Sequence, residues 1–230
     1  TDWFGDEVSL PALEWTVVTG PSQPSIVTSP RALDNSRTAV FEVDAGWGAD
    51  TVQCQIDGLA WQPCDPGAPA GTRLQTATYG GLHDGSHRFR VRSSNPLFGL
   101  GPEVQFDWLI DATPPEARID RAPARRSGSA SSNWEFSGAG GPGGYRCRID
   151  GVPPAGSTPV GGEGFGACAS PLTVTVADGE HKFELVAVDE AGNLSPIVSR
   201  LWSVDTTGPE VTFTARPEET TTARNASFEF

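Results

Sequence analysis

Apolar side chains recur on every second residue over short stretches of this chain. Val104, Phe106, Trp108 and Ile110 form one such run, with Gln105 and Asp107 between them. A period of two turns one set of side chains inward and leaves the other in solvent, so the run predicts a half-buried β-strand. His87-Arg-Phe-Arg-Val-Arg repeats the pattern, with Phe89 and Val91 inward and three arginines outward. Leu185, Val186 and Val188 are more continuously apolar, which predicts a more central strand. Further strands are expected near Thr38–Val43 and Trp134–Phe136. Gly, Pro, Asp and Asn separate these runs, and no stretch carries a 3.6-residue period. About seven short strands in each repeat-sized stretch, divided by turn residues, predict an all-β fold of antiparallel sandwiches.

The pattern is copied. Asp84–Pro115 and Asp178–Pro209 align without a gap at an offset of 94 over 32 residues, matching His87 with His181, Phe89 with Phe183, Trp108 with Trp202 and Asp111 with Asp205. Such self-similarity marks a repeat architecture. The copies divide the chain into the tail of a preceding repeat (1–21), repeat 1 (22–112), repeat 2 (113–206) and the start of a third (207–230). Trp15 takes the place of Trp108 and Trp202 in the first tail. Pro115 to Trp134 and Pro209 to Phe228 span the same 19 residues, and the third copy is expected to reach a strand at Phe228–Phe230. Methionine is absent and the pattern begins and ends within a copy, so the chain reads as a piece of a longer protein. The copied tryptophans lie on alternating strands, which assigns them to the core. The histidines of DGSH and DGEH read as strand-edge residues with partly packed rings.

Composition narrows the function classes. With 27 Gly and 20 Pro, the chain suits short strands and turns. A net charge of −13 argues against nucleic acid as partner, because binding a phosphate backbone needs clustered Lys and Arg. No run of 18 apolar residues is present, so no membrane insertion is expected. The four cysteines fall two per repeat, Cys54 with Cys64 and Cys147 with Cys168. An Asp-Gly hairpin signal follows the first of each pair. An even count confined within repeats reads as one disulfide per domain, formed in an oxidising compartment. Zinc is the rival reading, but CxxC pairs are missing and histidines do not cluster.

The order YRCRIDG, SPLTVTVADGEHKFELVAVDEAGN and WSVDTTGP resembles the tandem bacterial Ig-like repeats (Big/Bap-like) of large secreted or surface-anchored proteins. The resemblance covers essentially the whole chain. It implies Ig-like sandwiches arranged as an extended string, outside the cell or anchored at its surface. The expected role is that of a stalk, adhesin shaft or spacer joined to other modules. The partners it implies are neighbouring repeats of the same chain and a host-surface or matrix protein or glycan. Repeat 1 departs from the pattern where NPLFG (Asn95–Gly99) replaces DEAGN (Asp189–Asn193), and the preceding copy has Val18 where Asp111 and Asp205 stand.

Two binding chemistries are weighed on these residues. In related adhesin arrays linkers bind calcium, which takes six to eight oxygen ligands. Candidate ligands here are Asp111, Asp120, Asp189, Glu190, Asn193 and Asp205, although a loop and the far end of its return strand lie at opposite poles of a hairpin. The alternative is that DEAGN is a plain turn and DTTGP a stiff linker. Trp47 and Trp61 are candidate platforms for a glycan or protein, provided that their rings are exposed. No HExxH, GxSxG or Gly-rich phosphate loop occurs, so no enzyme activity is expected within the chain. An accessory region of a secreted enzyme is the remaining alternative.

Overall fold

A computed structural model describes residues 20–230; Trp15 and Val18 of the first tail lie outside them. Two compact units divide between Thr113 and Pro114. Among the described residues every regular element is a strand.

The first unit carries β1 (Ser25–Thr28), β2 (Leu33–Asp34), β3 (Ala39–Asp44), β4 (Thr51–Ile56), β5 (Gln62–Pro63), β6 (Leu74–Tyr79), β7 (Gly85–Asn95) and β8 (Gly99–Ile110). They form two sheets, β1-β3-β6 and β2-β8-β7-β4-β5. The second unit carries β9 (Glu116–Arg121), β10 (Arg126–Ser127), β11 (Ser131–Ala139), β12 (Pro142–Ile149), β13 (Pro159–Val160), β14 (Phe165–Cys168), β15 (Leu172–Thr175), β16 (Gly179–Asp189) and β17 (Val198–Val204). Its sheets are β15-β11-β9 and β10-β17-β16-β12-β14-β13. Apart from β13, which has no counterpart in the first unit, this is the same immunoglobulin-like sandwich built twice.

Two features add to the expected antiparallel sandwich of about seven strands. The opening strand of each unit is split: β1 and β9 pair antiparallel in the small sheet, whereas β2 and β10 cross over and pair parallel with β8 and β17. The long loop between Cys147 and Cys168 adds a further short hairpin, β13–β14. The units therefore hold eight and nine strands.

The alternation read from the sequence sets the inward faces. Phe89 and Val91 are fully buried on β7, as are Phe183 and Leu185 on β16. An aromatic triad joins the two sheets of each unit. In the first, Phe41 on β3 stacks on Phe89 at 3.9 Å between ring centroids and meets Trp108 of β8 edge-on at 5.4 Å. In the second, Trp134 of β11 stacks on Phe183 at 4.2 Å and meets Trp202 edge-on at 5.0 Å. Such pairs add roughly 0.5–1.5 kcal/mol each beyond the area they bury.

The disulfides Cys54–Cys64 and Cys147–Cys168 are both formed. Each links the strand β4 or β12 to the strand beside it or its end: Cys54 lies opposite Gln62, two residues before Cys64, while Tyr145, two residues before Cys147, lies opposite Cys168 on β14. Asp57 and Asp150, at the hairpin turns after the first cysteines, hold φ of 50° and 52°. Asp tolerates this left-handed conformation better than most residues.

The expected strand at Phe228–Phe230 does not form. Within 207–230 the pairing is one isolated bridge, Ala215 with Glu229, and Phe213 lies 5.8 Å from Phe228 between ring centroids. The bridge sits at an offset of 94 from the Arg121–Glu135 pair of β9 and β11. It thus begins the register of the preceding copy, but two strands without a third or a facing sheet are marginal.

Truncating the centre of the second triad should be severe. Trp134→Ala should cost about 3–5 kcal/mol. Trp134→Phe, which installs the residue found at position 41, should cost less than half as much. Urea denaturation monitored by far-ultraviolet circular dichroism measures both.

Candidate functional site

The most specific polar constellation is present in both units, at the pole where the chain leaves each sandwich. In the first, Nδ1 of His87 lies 2.7 Å from Oδ2 of Asp57, and Nε2 lies 2.7 Å from the carbonyl oxygen of His83. The other oxygen of Asp57 accepts the backbone N–H of Arg88 at 2.9 Å. In the second, His181 meets Asp150 at 2.7 Å and the Ala177 carbonyl at 2.9 Å, while Asp150 accepts the backbone N–H of Lys182 at 2.7 Å. Each imidazole rests against the copied tryptophan, with centroids 5.3 Å apart for His87 and Trp108 and 5.2 Å for His181 and Trp202.

The electrostatics of the two rings agree. Burial works against charge on His87, but the His83 carbonyl and Asp57 outweigh it, so its pKa is raised above the ordinary value. His181 is raised likewise: burial opposes, and Asp150 with the Ala177 carbonyl prevails. A shallow depression beside His181, about 400 Å³, is lined in part by Arg125, Arg126, Asp150 and Trp202. The ring partners in both units are a carboxylate and a main-chain carbonyl.

A second constellation begins one residue after each carbonyl. Asp84 accepts the hydroxyl of Thr113 at 2.8 Å and pairs with Arg37 at 2.8 Å. Asp178 accepts the hydroxyl and backbone N–H of Thr206 at 2.8 and 3.0 Å and the hydroxyl of Thr207 at 3.3 Å. The Thr113 and Thr206 hydroxyls are the leading causes that hold the Asp84 and Asp178 carboxyls below the usual carboxylate range. The exit segment of each unit is thereby tied to its own sandwich.

Most of the residues singled out for calcium make contacts of their own. Asp111 and Asp205 each accept the backbone N–H two residues on, from Thr113 and Thr207, at 3.1 Å. These are Asx turns that shape the exit segment. Asp120 pairs with Arg118 at 2.7 Å. Asp189 is buried and, like Asn193, engaged in interactions of its own; Glu190 is exposed. In the second unit Gly179 pairs with Val204, so Asp205 lies at the opposite end of β16 from Asp189. Among the described residues no group of three or more His, Cys, Asp or Glu is gathered that could hold a metal ion.

Trp47 and Trp61 fall in different settings. Trp47 is 72% exposed, on the loop between β3 and β4, with the Arg73 guanidinium 4.6 Å from its ring centroid. Nearby, Asn95 Nδ2 donates to the Gly48 carbonyl at 2.9 Å, which ties the NPLFG loop to the Trp47 loop. That loop exposes Leu97 at 87% and leaves Phe98 about half exposed, as is Leu100 at the start of β8. Trp61 is partly buried, and the Arg92 guanidinium lies 4.0 Å from its ring centroid. One face of Trp61 is therefore already covered.

Sequence reasoning placed the histidines on strand edges and missed their aspartate partners. The signal was present: the Asp-Gly after each first cysteine and the histidine of each DGxH turn are copied together.

No family model matches the chain, and no curated protein matches it. Among solved structures it is similar to fibronectin(III)-like modules of Clostridium thermocellum CbhA, with 14% identity, 79% of this chain and 93% of that one covered, and a TM-score of 0.49. It is also similar to the FN1–FN3 domains of chicken CNTN1, with 14% identity, coverages of 91% and 76%, and a TM-score of 0.29. Dimeric latent PorU from Porphyromonas gingivalis gives 14% identity, 85% of this chain and 22% of that one, and a TM-score of 0.29.

Removing the carboxylate that ties the second exit segment should release it without unfolding the sandwich. In Asp178→Ala the Thr206 amide should exchange with solvent faster, while core amides of β16 keep their protection. Hydrogen exchange followed by nuclear magnetic resonance reads both.

Proposed function

We propose that this chain is a non-catalytic, extracellular spacer region built from tandem disulfide-stapled Ig-like repeats, repeat 1 at 22–112 and repeat 2 at 113–206, set in a string. One observation carries this reading: the residues copied between the two units serve the scaffold. They form the aromatic triad, the disulfide, the Asp–His pair on the tryptophan, and the aspartate–threonine tie of the exit segment. The copies also differ at outward strand positions, such as Arg90 against Glu184 and Asp107 against Leu201, and in loop length, where substitution leaves the scaffold intact. The disulfides favour an oxidising compartment. Short proline-containing linkers restrict hinge motion between repeats, and neighbouring repeats of the same chain are the proposed partners. Calcium is not required in this reading, because the carboxylates at the exits are already used in turns.

A second reading is favoured by one patch. The loops holding Trp47, Leu97 and Phe98, with Leu100 at the start of β8, present exposed apolar side chains, which suits a protein or glycan ligand. In that case Trp47→Ala would abolish capture on a surface array and leave stability unchanged.

Small-angle X-ray scattering of the full oxidised chain, in calcium and then in chelator, tests the spacer. An elongated particle of unchanged length and melting midpoint in both conditions is expected. A compact particle would remove the spacer reading. A midpoint and length that rise with calcium would instead place metal at Asp111, Asp205 and their neighbours.

A further inference from the structure

Both ring nitrogens of His87 and of His181 face acceptors, a carboxylate on one side and a main-chain carbonyl on the other. Neutral imidazole carries one N–H and satisfies one of them. The imidazolium carries two and satisfies both. Each site is thus complete only with the proton on. The carbonyls that accept from the rings belong to His83 and Ala177, and the next residues, Asp84 and Asp178, tie down Thr113, Thr206 and Thr207. A single loop therefore bonds the histidine with one residue and the exit segment with the next.

We propose that His87 and His181 are two copies of a proton-operated clasp: with the ring protonated, the loop before β7 or β16 is fixed and anchors the exit segment, and with the ring neutral that anchorage loosens.

The surrounding charges leave this direction intact. Around His87 the groups are Asp57 from the turn after β4, Arg88 and Arg90 on its own strand, and Asp107 on β8, which is bound to Arg88. Around His181 they are Asp150 from the turn after β12, Glu180 and Lys182 on its own strand, and Arg125 and Arg126 beside β10. Lys182 is bound to Glu184, as Arg148 is. In each unit the carboxylate at hydrogen-bond distance is the closest charge to the ring. The direction of the pKa shifts agrees: both are raised above 6.5 in the folded chain. A raised folded value contributes stability that is fully present below the unfolded value and is lost as pH rises through the folded one. The window therefore opens at about pH 6.5 and extends upward.

Thermal melting of the full oxidised chain between about pH 5.5 and about pH 8.5 tests the clasp, with His87→Gln/His181→Gln as the comparison. The wild-type midpoint should fall by roughly 2–6 °C across the window, and the double variant should lose most of that fall. Protection of the Thr206 amide, corrected for intrinsic exchange, should decline over the same range in the wild type only. If the double variant fails to fold, the wild-type imidazole resonances decide: His87 and His181 should titrate above 6.5. Titration below that value, a flat wild-type midpoint, or an equal fall in the double variant would each overturn the proposal.

Discussion

Everything in each unit hangs on one aromatic contact between the two sheets. Phe41 against Phe89 and Trp108, and Trp134 against Phe183 and Trp202, set which face of each strand points inward. Strand register follows, because a slip of one residue would turn those rings to solvent. The tryptophan of the triad has a second role. Its other neighbour is the histidine of the exit pole, so the imidazole sits where the core ends. Core packing thereby places the polar clasp, and the clasp places the loop that holds the exit segment.

The disulfides act at a different point. One fastens the end of the edge strand β5 to β4, and the other fastens β14, the strand next to the edge, to β12, where only a few ladder bonds are available. β5 is two residues long and β14 pairs with β12 over only three residue pairs. A covalent tie at that edge limits the unfolded chain most where the folded sheet is weakest. This explains why the loop between the cysteines could lengthen in the second unit without disturbing the sandwich around it.

Much of this was legible in the sequence because its signals are local or copied. Alternation around Phe89 and Trp108 gave inward faces, the cysteine spacing gave the pairing within repeats, and the constant offset tied the two units together. What was not legible depends on distant pairing. The opening strand changes sheets because Leu33 and Asp34 find β8, more than seventy residues later, and two residues carry no period. The aspartate partners of the histidines lie about thirty residues away on a different turn. Asp111 and Asp205 are candidate ligands beside the alternative of a stiff linker, and each accepts the amide two residues on, an Asx turn that composition does not announce. Trp61 is a candidate platform on condition that its ring is exposed, and the fold brings Arg92 over one face.

The central claim is that copied residues are copied because they hold the scaffold. A paired alanine scan of the equivalent positions in the two units, read by protease resistance of the full oxidised chain, addresses it most directly. The account predicts that substitutions at Phe89 and Phe183, Trp108 and Trp202, and Asp57 and Asp150 lower resistance in matched pairs. Copied positions whose loss leaves both units as resistant as the parent would contradict it, since those residues would then be kept for something other than the fold.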